Sequence, residues 1–415
     1  MNGLKAEVDP AEVGLDPDRL RRIDDSFSRY VDDGQLAGWL VTVSRHGKLA
    51  HVSAYGQRNR EEGLPVETDT LWRIFSMTKP ITSVAAMMLY EEGALQLTDP
   101  VSKFIPSFAN LRVYVGGPDQ NPLTVPASEP MRVWHLLTHT SGLTYGFLRV
   151  HPVDGIYRAA GFEGGTTPDG MDLAQACDAW ASLPLLFQPG AEWSYGVSTD
   201  VLGRVVEVAS GQSLDAFLAD RILGPLGMTD TSFYVEDERA SRLAVLYGLG
   251  PGRKLGVLGA PWDSARVKPA FLSGGGGLVS SAADYHRFLQ LLLGYPGSPA
   301  GELDGVRLLS PRTVRYMGRN HLPGGLDIAT FGRALYAESP MYGSGFGLGF
   351  AVVTDPAALK VDCSAGELSW GGAASTSFWI DQAEGITVSF FTQLMPSNAY
   401  PLRPRLRQLV YQAVV

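Results

Sequence analysis

The sequence predicts an α+β fold, in which one antiparallel sheet flanked by helices is assembled from both chain ends and a mainly helical domain is inserted between them. Three observations carry that expectation. Runs rich in β-branched and aromatic residues lie near both termini, helical periodicity dominates between about 95 and 260, and an almost wholly apolar helix begins at Ile81, soon after the first β-rich runs.

In chain order, Leu20, Ile23, Phe27 and Tyr30 recur at helical spacing behind Asp16-Pro17, a cap followed by proline at the first helical position, and Gly34 ends the run. GWLVTVSRHGKLAHVSAYG then reads as two strands around a His46-Gly47 turn. From Ile81 to Tyr90 the helix is apolar or small on nearly every side, so it should be buried, and Gly93 stops it. DVLGRVVEVAS and LDAFLADRIL continue the helical middle between Gly- and Pro-rich loops. Beyond about 345, LGFAVV, STSFWID and GITVSFFTQ restore the β pattern, and a last helix carries Leu402, Leu406, Leu409 and Ala413 on one side. The expected division is a sheet domain from residues 1–70 and 265–415 and a mainly helical domain from 71–264, with the active site in the cleft between them.

Composition excludes several classes of function. The 415 residues carry a net charge of −9, with no basic stripe to neutralise a phosphate backbone or grip an anionic membrane surface, so nucleic acid is not an expected partner. No apolar run approaches the roughly 18 residues that a span needs, and MNGLKAEVDPAEVGLDPDRL lacks a signal-peptide core. A cytoplasmic protein without membrane contact is expected. Cys177 and Cys363 are too few for a disulfide framework and read as inert thiols, and the seven histidines show no metal-ligand spacing. Neither a metal nor a cofactor is implied, and the sequence carries no sign of an oligomeric state.

The strongest chemical signal is Ser76-Met77-Thr78-Lys79, the only Ser-x-x-Lys in the chain, at the start of the buried helix. Residues i and i+3 share a helix face, which puts the hydroxyl within reach of the amine. A lysine in a first helical turn faces the positive end of the dipole and, once buried, loses hydration. Both effects favour the neutral amine that a general base requires.

Together with SMTK, the stretches LLTHTSGL at 136–143, WSYGVSTDVLGRVVE at 193–207, SGGGGLVSSAADYHRF at 273–288 and SWGGAAST at 369–376 resemble, in order and over nearly the whole chain, the serine β-lactamase and penicillin-binding-protein fold. Within it, the sequence is most similar to the class C-like esterases called family VIII carboxylesterases. The resemblance implies Ser76 as nucleophile, with Lys79 and Tyr195 as its proton-transfer partners. Where the family has Tyr-x-Asn, this chain reads Tyr195-Gly196-Val197, keeping the tyrosine and losing the asparagine. Where β-lactamases and peptidases have Lys-Thr-Gly, it reads Trp370-Gly371-Gly372, which the resemblance marks as substrate-binding. An indole offers one weak donor and no charge, so uncharged esters should be preferred to substrates with a carboxylate. The resemblance also implies an oxyanion hole from the backbone N–H groups of Ser76 and Ala373.

The expected activity is a serine carboxylesterase acting on a small-molecule ester through an acyl-enzyme. A G-x-S-x-G elbow, which an α/β-hydrolase would need, is absent from the sequence. A β-lactamase or D-amino peptidase, an acyltransferase, and a catalytically silent ligand-binding relative stand as alternatives on the same fold. His139 reads as part of a structural loop and Gly274 to Gly277 as a tight loop beside the cleft. Tyr145, Phe147, Phe162, Phe331, Tyr336, Tyr342 and Phe346 suit either a substrate pocket or ordinary loop packing.

Overall fold

A computed structural model describes residues 4–163, 167–168, 170–259, 264–333 and 341–415. Its centre is an eight-stranded antiparallel sheet. In chain order the strands are β1 (Gly38–Arg45), β2 (Lys48–Asn59), β3 (Leu64–Pro65), β4 (Ser344–Phe346), β5 (Ala351–Val353), β6 (Leu368–Gly371), β7 (Ser377–Asp381) and β8 (Ile386–Phe391). Across the sheet they run β4-β5-β6-β7-β8-β1-β2-β3, so the N-terminal hairpin adds directly to the C-terminal strands. Leu40 pairs with Phe391 and Val43 with Val388.

The hairpin turn has both His46 and Gly47 at positive φ, which matches the twist of the flanking strands. Every residue of β1 is buried, as expected of a central strand covered on both faces. On one face Trp39, Val41 and Val43 meet Trp379, Val388 and Phe390 beneath two helices, α1 (Pro17–Asp32) and the C-terminal α5 (Leu402–Tyr411). Asp16 caps α1 by accepting from the Asp18 and Arg19 amides, and Leu20, Ile23 and Phe27 are its buried stripe. In α5 the buried set is Leu402, Leu406, Val410 and Tyr411. Leu409 is only partly buried, and Ala413 is buried just past the helix end.

On the other face α4 (Ala282–Leu293) packs Tyr285, Phe288 and Leu289 near Phe378 and Phe391. Hydroxyls pair across the strands here, Thr42 with Ser389 at 2.6 Å and Ser44 with Thr387 at 2.7 Å. Gln290 of α4 donates to Ser44 Oγ and Thr387 Oγ1, so these buried polar groups are partnered.

The chain leaves the sheet through Leu71–Arg73 and returns through Val279–Ser281, two segments that pair antiparallel. Between them lie α2 (Thr78–Glu91), buried from Thr78 to Leu89, and α3 (Ser198–Ser210), which pack against each other. This stretch is less uniformly helical than its periodicity suggests. It holds the hairpin Arg112–Gly116 with Leu123–Pro126 and a second from Tyr247–Leu249 and Leu255–Val257, whose first strand pairs with Leu394–Met395. Strands of three to five residues are too short for a period of two to stand out. Among the described residues, no helix is long and apolar enough to cross a membrane.

Candidate active site

Ser76 lies in a single 3-10 turn, Phe75–Met77, that feeds α2. Phe75 has φ +43°, a left-handed conformation that costs a bulky residue ~1–3 kcal/mol and persists only where its surroundings over-determine it. They do so here. The Ile74 amide donates to Leu278 O at 3.1 Å, the Leu278 amide to Thr78 Oγ1 at 3.1 Å, and the Tyr285 hydroxyl to Met77 O at 2.9 Å.

One turn on, Lys79 is 2% exposed. Its Nζ donates to Ser76 Oγ at 3.1 Å, to the Tyr145 hydroxyl at 3.1 Å and to Gly275 O at 2.6 Å. It also lies over the Tyr195 ring, 4.6 Å from the centroid. Three acceptors and an aromatic face thus surround the amine. Tyr145 and Gly275 are partners that only the folded chain brings to it.

Tyr195 joins the same cluster with its ring, not its hydroxyl, toward Lys79. Its oxygen accepts the Trp370 indole N–H at 3.3 Å. The tyrosine hydroxyl bonded to Lys79 belongs to Tyr145, which the sequence left among the ambiguous aromatics. Burial, then Asp200 and Tyr195, push the Tyr145 phenol well above its ordinary range, so it stays protonated.

The 136–145 loop seats both tyrosines. A Cβ on Gly196 would lie 2.4 Å from Leu143 O, so only glycine lets the Tyr195 segment approach this closely. The Ser194 amide donates to His139 O at 2.9 Å. His139 is buried, its ring 4.9 Å from that of Tyr195, and its Nδ1 has no hydrogen-bond partner among the described residues. Burial and the Lys79 charge hold it well below the usual histidine range. It is a neutral packing element with no carboxylate partner among the described residues.

Trp370 and Gly371 end β6, and Gly372 to Thr376 form a tight turn closed by the Gly372 amide on Thr376 O at 2.9 Å. Ala373 lies in that turn. Arg403 from α5 donates to Gly372 O and Thr376 O, and a Cβ on Gly372 would come within 2.5 Å of Ile74 O. The strand end is thereby pressed against the Ser76 turn. Ser76, Tyr195, Trp370, Gly371, Gly372 and Ala373 all border one cavity of about 770 Å³.

Tyr145, Phe147, Phe162, Trp180 and Phe271 form an aromatic wall of that cavity. Phe346 instead packs behind the site, 5.3 Å from Trp370 and 5.5 Å from His139. Phe331 supports Trp193, Tyr342 is exposed, and Tyr336 lies outside the described residues. Among the described residues no cluster of three His, Cys, Asp or Glu side chains is arranged to hold a metal.

The glycine loop at 274–277 does more than turn the chain, since Gly275 carries the carbonyl that binds Lys79. Asp200 lies behind it, its Oδ1 accepting from Ser273 Oγ at 2.5 Å and from the Gly275 amide at 3.0 Å. The available signal for Asp200 was an acid in the first turn of α3 with apolar Val201, Leu202 and Val205 following it.

A model of the Beta-lactamase family matches residues 23–412. Esterase EstB of Burkholderia gladioli is 34% identical over 428 residues, covering 98% of this chain and 99% of that protein. Lovastatin esterase of Penicillium rubens is 33% identical, covering 88% and 90%. The solved structure described as EstCE1, a hydrolase with promiscuous acyltransferase activity, superposes with a TM-score of 0.79 at 27% identity, over 95% of this chain and 99% of that one. Sequence and fold therefore agree from α1 through α5, and the chain belongs to the Beta-lactamase family.

Proposed function

We propose that the protein is a serine carboxylesterase of the family VIII type, hydrolysing small to medium uncharged esters through an acyl-serine intermediate. The observation that carries this reading is the Ser76–Lys79 contact, with Tyr145 and Tyr195 around the amine, at the edge of an aromatic-walled cavity. The similarity to EstB and to lovastatin esterase supports it.

In this reading the site lies in the cleft between residues 71–264 and the sheet domain of residues 1–70 and 265–415. Ser76 Oγ attacks the ester carbonyl carbon and its proton passes to the Lys79 and tyrosine cluster. Tyr145 is held protonated by burial and so serves as hydrogen-bond partner to Lys79, which leaves Tyr195 to carry the proton to the departing alkoxide. The Ser76 and Ala373 N–H groups stabilise the oxyanion. Water then repeats the sequence on the acyl-serine, releasing the acid and restoring Ser76. No cofactor enters. Trp370 presents no charge to bind a substrate carboxylate, which supports esters over penicillins and peptide C-termini.

A second reading, acyl transfer to an alcohol in place of water, is favoured by the description of EstCE1 as having promiscuous acyltransferase activity. It shares every step up to the acyl-serine. Both cysteines are free thiols, which supports a reducing, cytoplasmic setting.

The test is initial hydrolysis of p-nitrophenyl butyrate by wild type and folded Ser76→Ala, with a chromogenic cephalosporin alongside. Ester turnover that disappears in the variant, with little cephalosporin cleavage, is expected. Dominant cephalosporin cleavage moves the assignment to β-lactamase, and added alcohol diverting the acyl group moves it to acyltransferase.

A further inference from the structure

Asp200 sits in the first turn of α3, five residues after Tyr195, and is 3% exposed. Its Oδ1 accepts from the Ser273 hydroxyl and the Gly275 amide, and the carbonyl of that same Gly275 accepts from Lys79 Nζ at 2.6 Å. One glycine thus has its N–H on the carboxylate and its C=O on the amine. The approach is as close as the backbone permits, because a Cβ on Gly275 would lie 2.5 Å from Asp200 Oδ2 and one on Gly274 2.8 Å from Thr199 O.

Three titratable groups around the pair are held neutral. Tyr145 and Cys177, the latter from helix Leu173–Ser182, are pushed well above their ordinary ranges, chiefly by burial, and His139 is held well below its own. Tyr195 presents its ring to Lys79. Burial raises the Asp200 carboxyl while Lys79, Ser273 and the Gly275 amide oppose that rise. Both donors on Oδ1 are the partners an ionised carboxylate requires. Asp200 and Lys79 are thus a buried acid and a buried amine bridged by one residue.

We propose that Asp200 is a positioning residue for acylation, which acts through Gly275 to hold Lys79 as an ammonium directed at Ser76. This rests on the reading of Ser76 as the acylated serine. Lys79 in turn presents a positive charge and a donor to Ser76 Oγ. Asp200 does not touch the substrate. Its charge is what keeps Lys79 from shedding a proton in a buried site.

The test compares wild type, Asp200→Asn and Ser273→Ala across the pH range, reading kcat/KM for p-nitrophenyl butyrate and the rate at which a fluorophosphonate labels Ser76. Asp200→Asn keeps shape and removes charge. It is expected to lower kcat/KM about tenfold at the wild-type optimum and to move the alkaline limb of both profiles down by about one pH unit, because Lys79 loses its counter-charge. Ser273→Ala removes a neutral hydrogen bond from the same carboxylate and leaves the limb in place.

A limb that stays put in folded Asp200→Asn, whatever the loss of rate, overturns the inference and leaves the esterase reading intact. Wild type that neither hydrolyses the ester nor takes the label at Ser76 overturns both. A measurement on unaltered protein guards against a variant that fails to fold. With 13Cε-labelled lysine, the Lys79 resonance, assigned through Lys79→Arg, is expected at its ammonium position at neutral pH. A neutral-amine position there contradicts the inference.

Discussion

The indole N–H of Trp370 points at the phenolic oxygen of Tyr195, 3.3 Å away, with the two ring centroids 5.3 Å apart. A donor on that oxygen stabilises negative charge there, which an uncharged indole supplies without a cation. Trp370 is thus both a wall of the cavity and a partner of the proposed proton carrier.

Trp370→Phe keeps an aromatic ring against Phe346 and deletes the donor. A single neutral hydrogen bond is worth on the order of 1 kcal/mol, so kcat/KM for a short ester is expected to fall about fivefold with little change in Tm. Steady-state kinetics beside a thermal melt checks this. An unchanged kcat/KM removes the indole from the proton path.

The two tyrosines are expected to respond differently to loss of the hydroxyl. Tyr195→Phe removes the proposed proton carrier and should reduce kcat by about 10² to 10⁴, the usual range for a general acid-base group. Tyr145→Phe removes one acceptor from Lys79 Nζ and should cost about tenfold, the loss expected of a hydrogen bond to a charged group if Lys79 is the proposed ammonium. Burst and steady-state rates of the two variants separate these cases. A reversed order would make Tyr145 the carrier.

Much of this architecture is legible in the sequence because its causes are local or periodic. The cap-and-proline start of α1, the His46-Gly47 turn and the apolar circumference of α2 each follow from residues close in the chain. Ser76 and Lys79 are the first and last letters of one four-residue motif. Tyr145, Gly275 and Asp200 are different, since they meet Lys79 across separations of 66, 196 and 121 residues, and only the folded loops bring them there. The orientation of Tyr195 was illegible for the same reason, being set by Trp370 and by the close approach of Gly196 to Leu143. The short hairpins within 71–264 left too few residues for a β period to register.

Gly349 has φ +100°, and a Cβ there would lie 2.3 Å from Ser83 Oγ and 2.5 Å from Ser83 Cβ on α2. Both the backbone conformation and the space exclude a larger residue. Gly349→Ala is expected to lower stability by at least ~1–3 kcal/mol, read as a lower urea midpoint at unchanged slope. Wild-type stability in that variant would show that α2 can shift without cost.

His135 introduces a pH dependence. It is buried, its Nδ1 accepts the Arg132 amide at 2.9 Å, and burial followed by the Arg132 charge lowers its pKa to about 4. Because the folded value lies below the unfolded 6.5, the unfolded chain binds the extra proton first. This contribution is fully present above pH 6.5 and is lost as pH falls toward 4, on the order of 3 kcal/mol in total. His135→Asn keeps an acceptor for Arg132 and removes the titration. Urea unfolding at several pH values should give it a shallower acid-side slope than wild type, by about one proton in that window. Parallel slopes would place the acid sensitivity elsewhere.

The central claim is that acyl groups pass through Ser76, and trapping the intermediate tests it most directly. Wild-type protein mixed with p-nitrophenyl butyrate, quenched in acid during turnover and mapped by peptide mass spectrometry should carry a butyryl group on the peptide containing Ser76. The same peptide from Ser76→Ala should remain unmodified. Steady ester turnover with no adduct at Ser76, or an adduct on another residue in both proteins, would contradict the account.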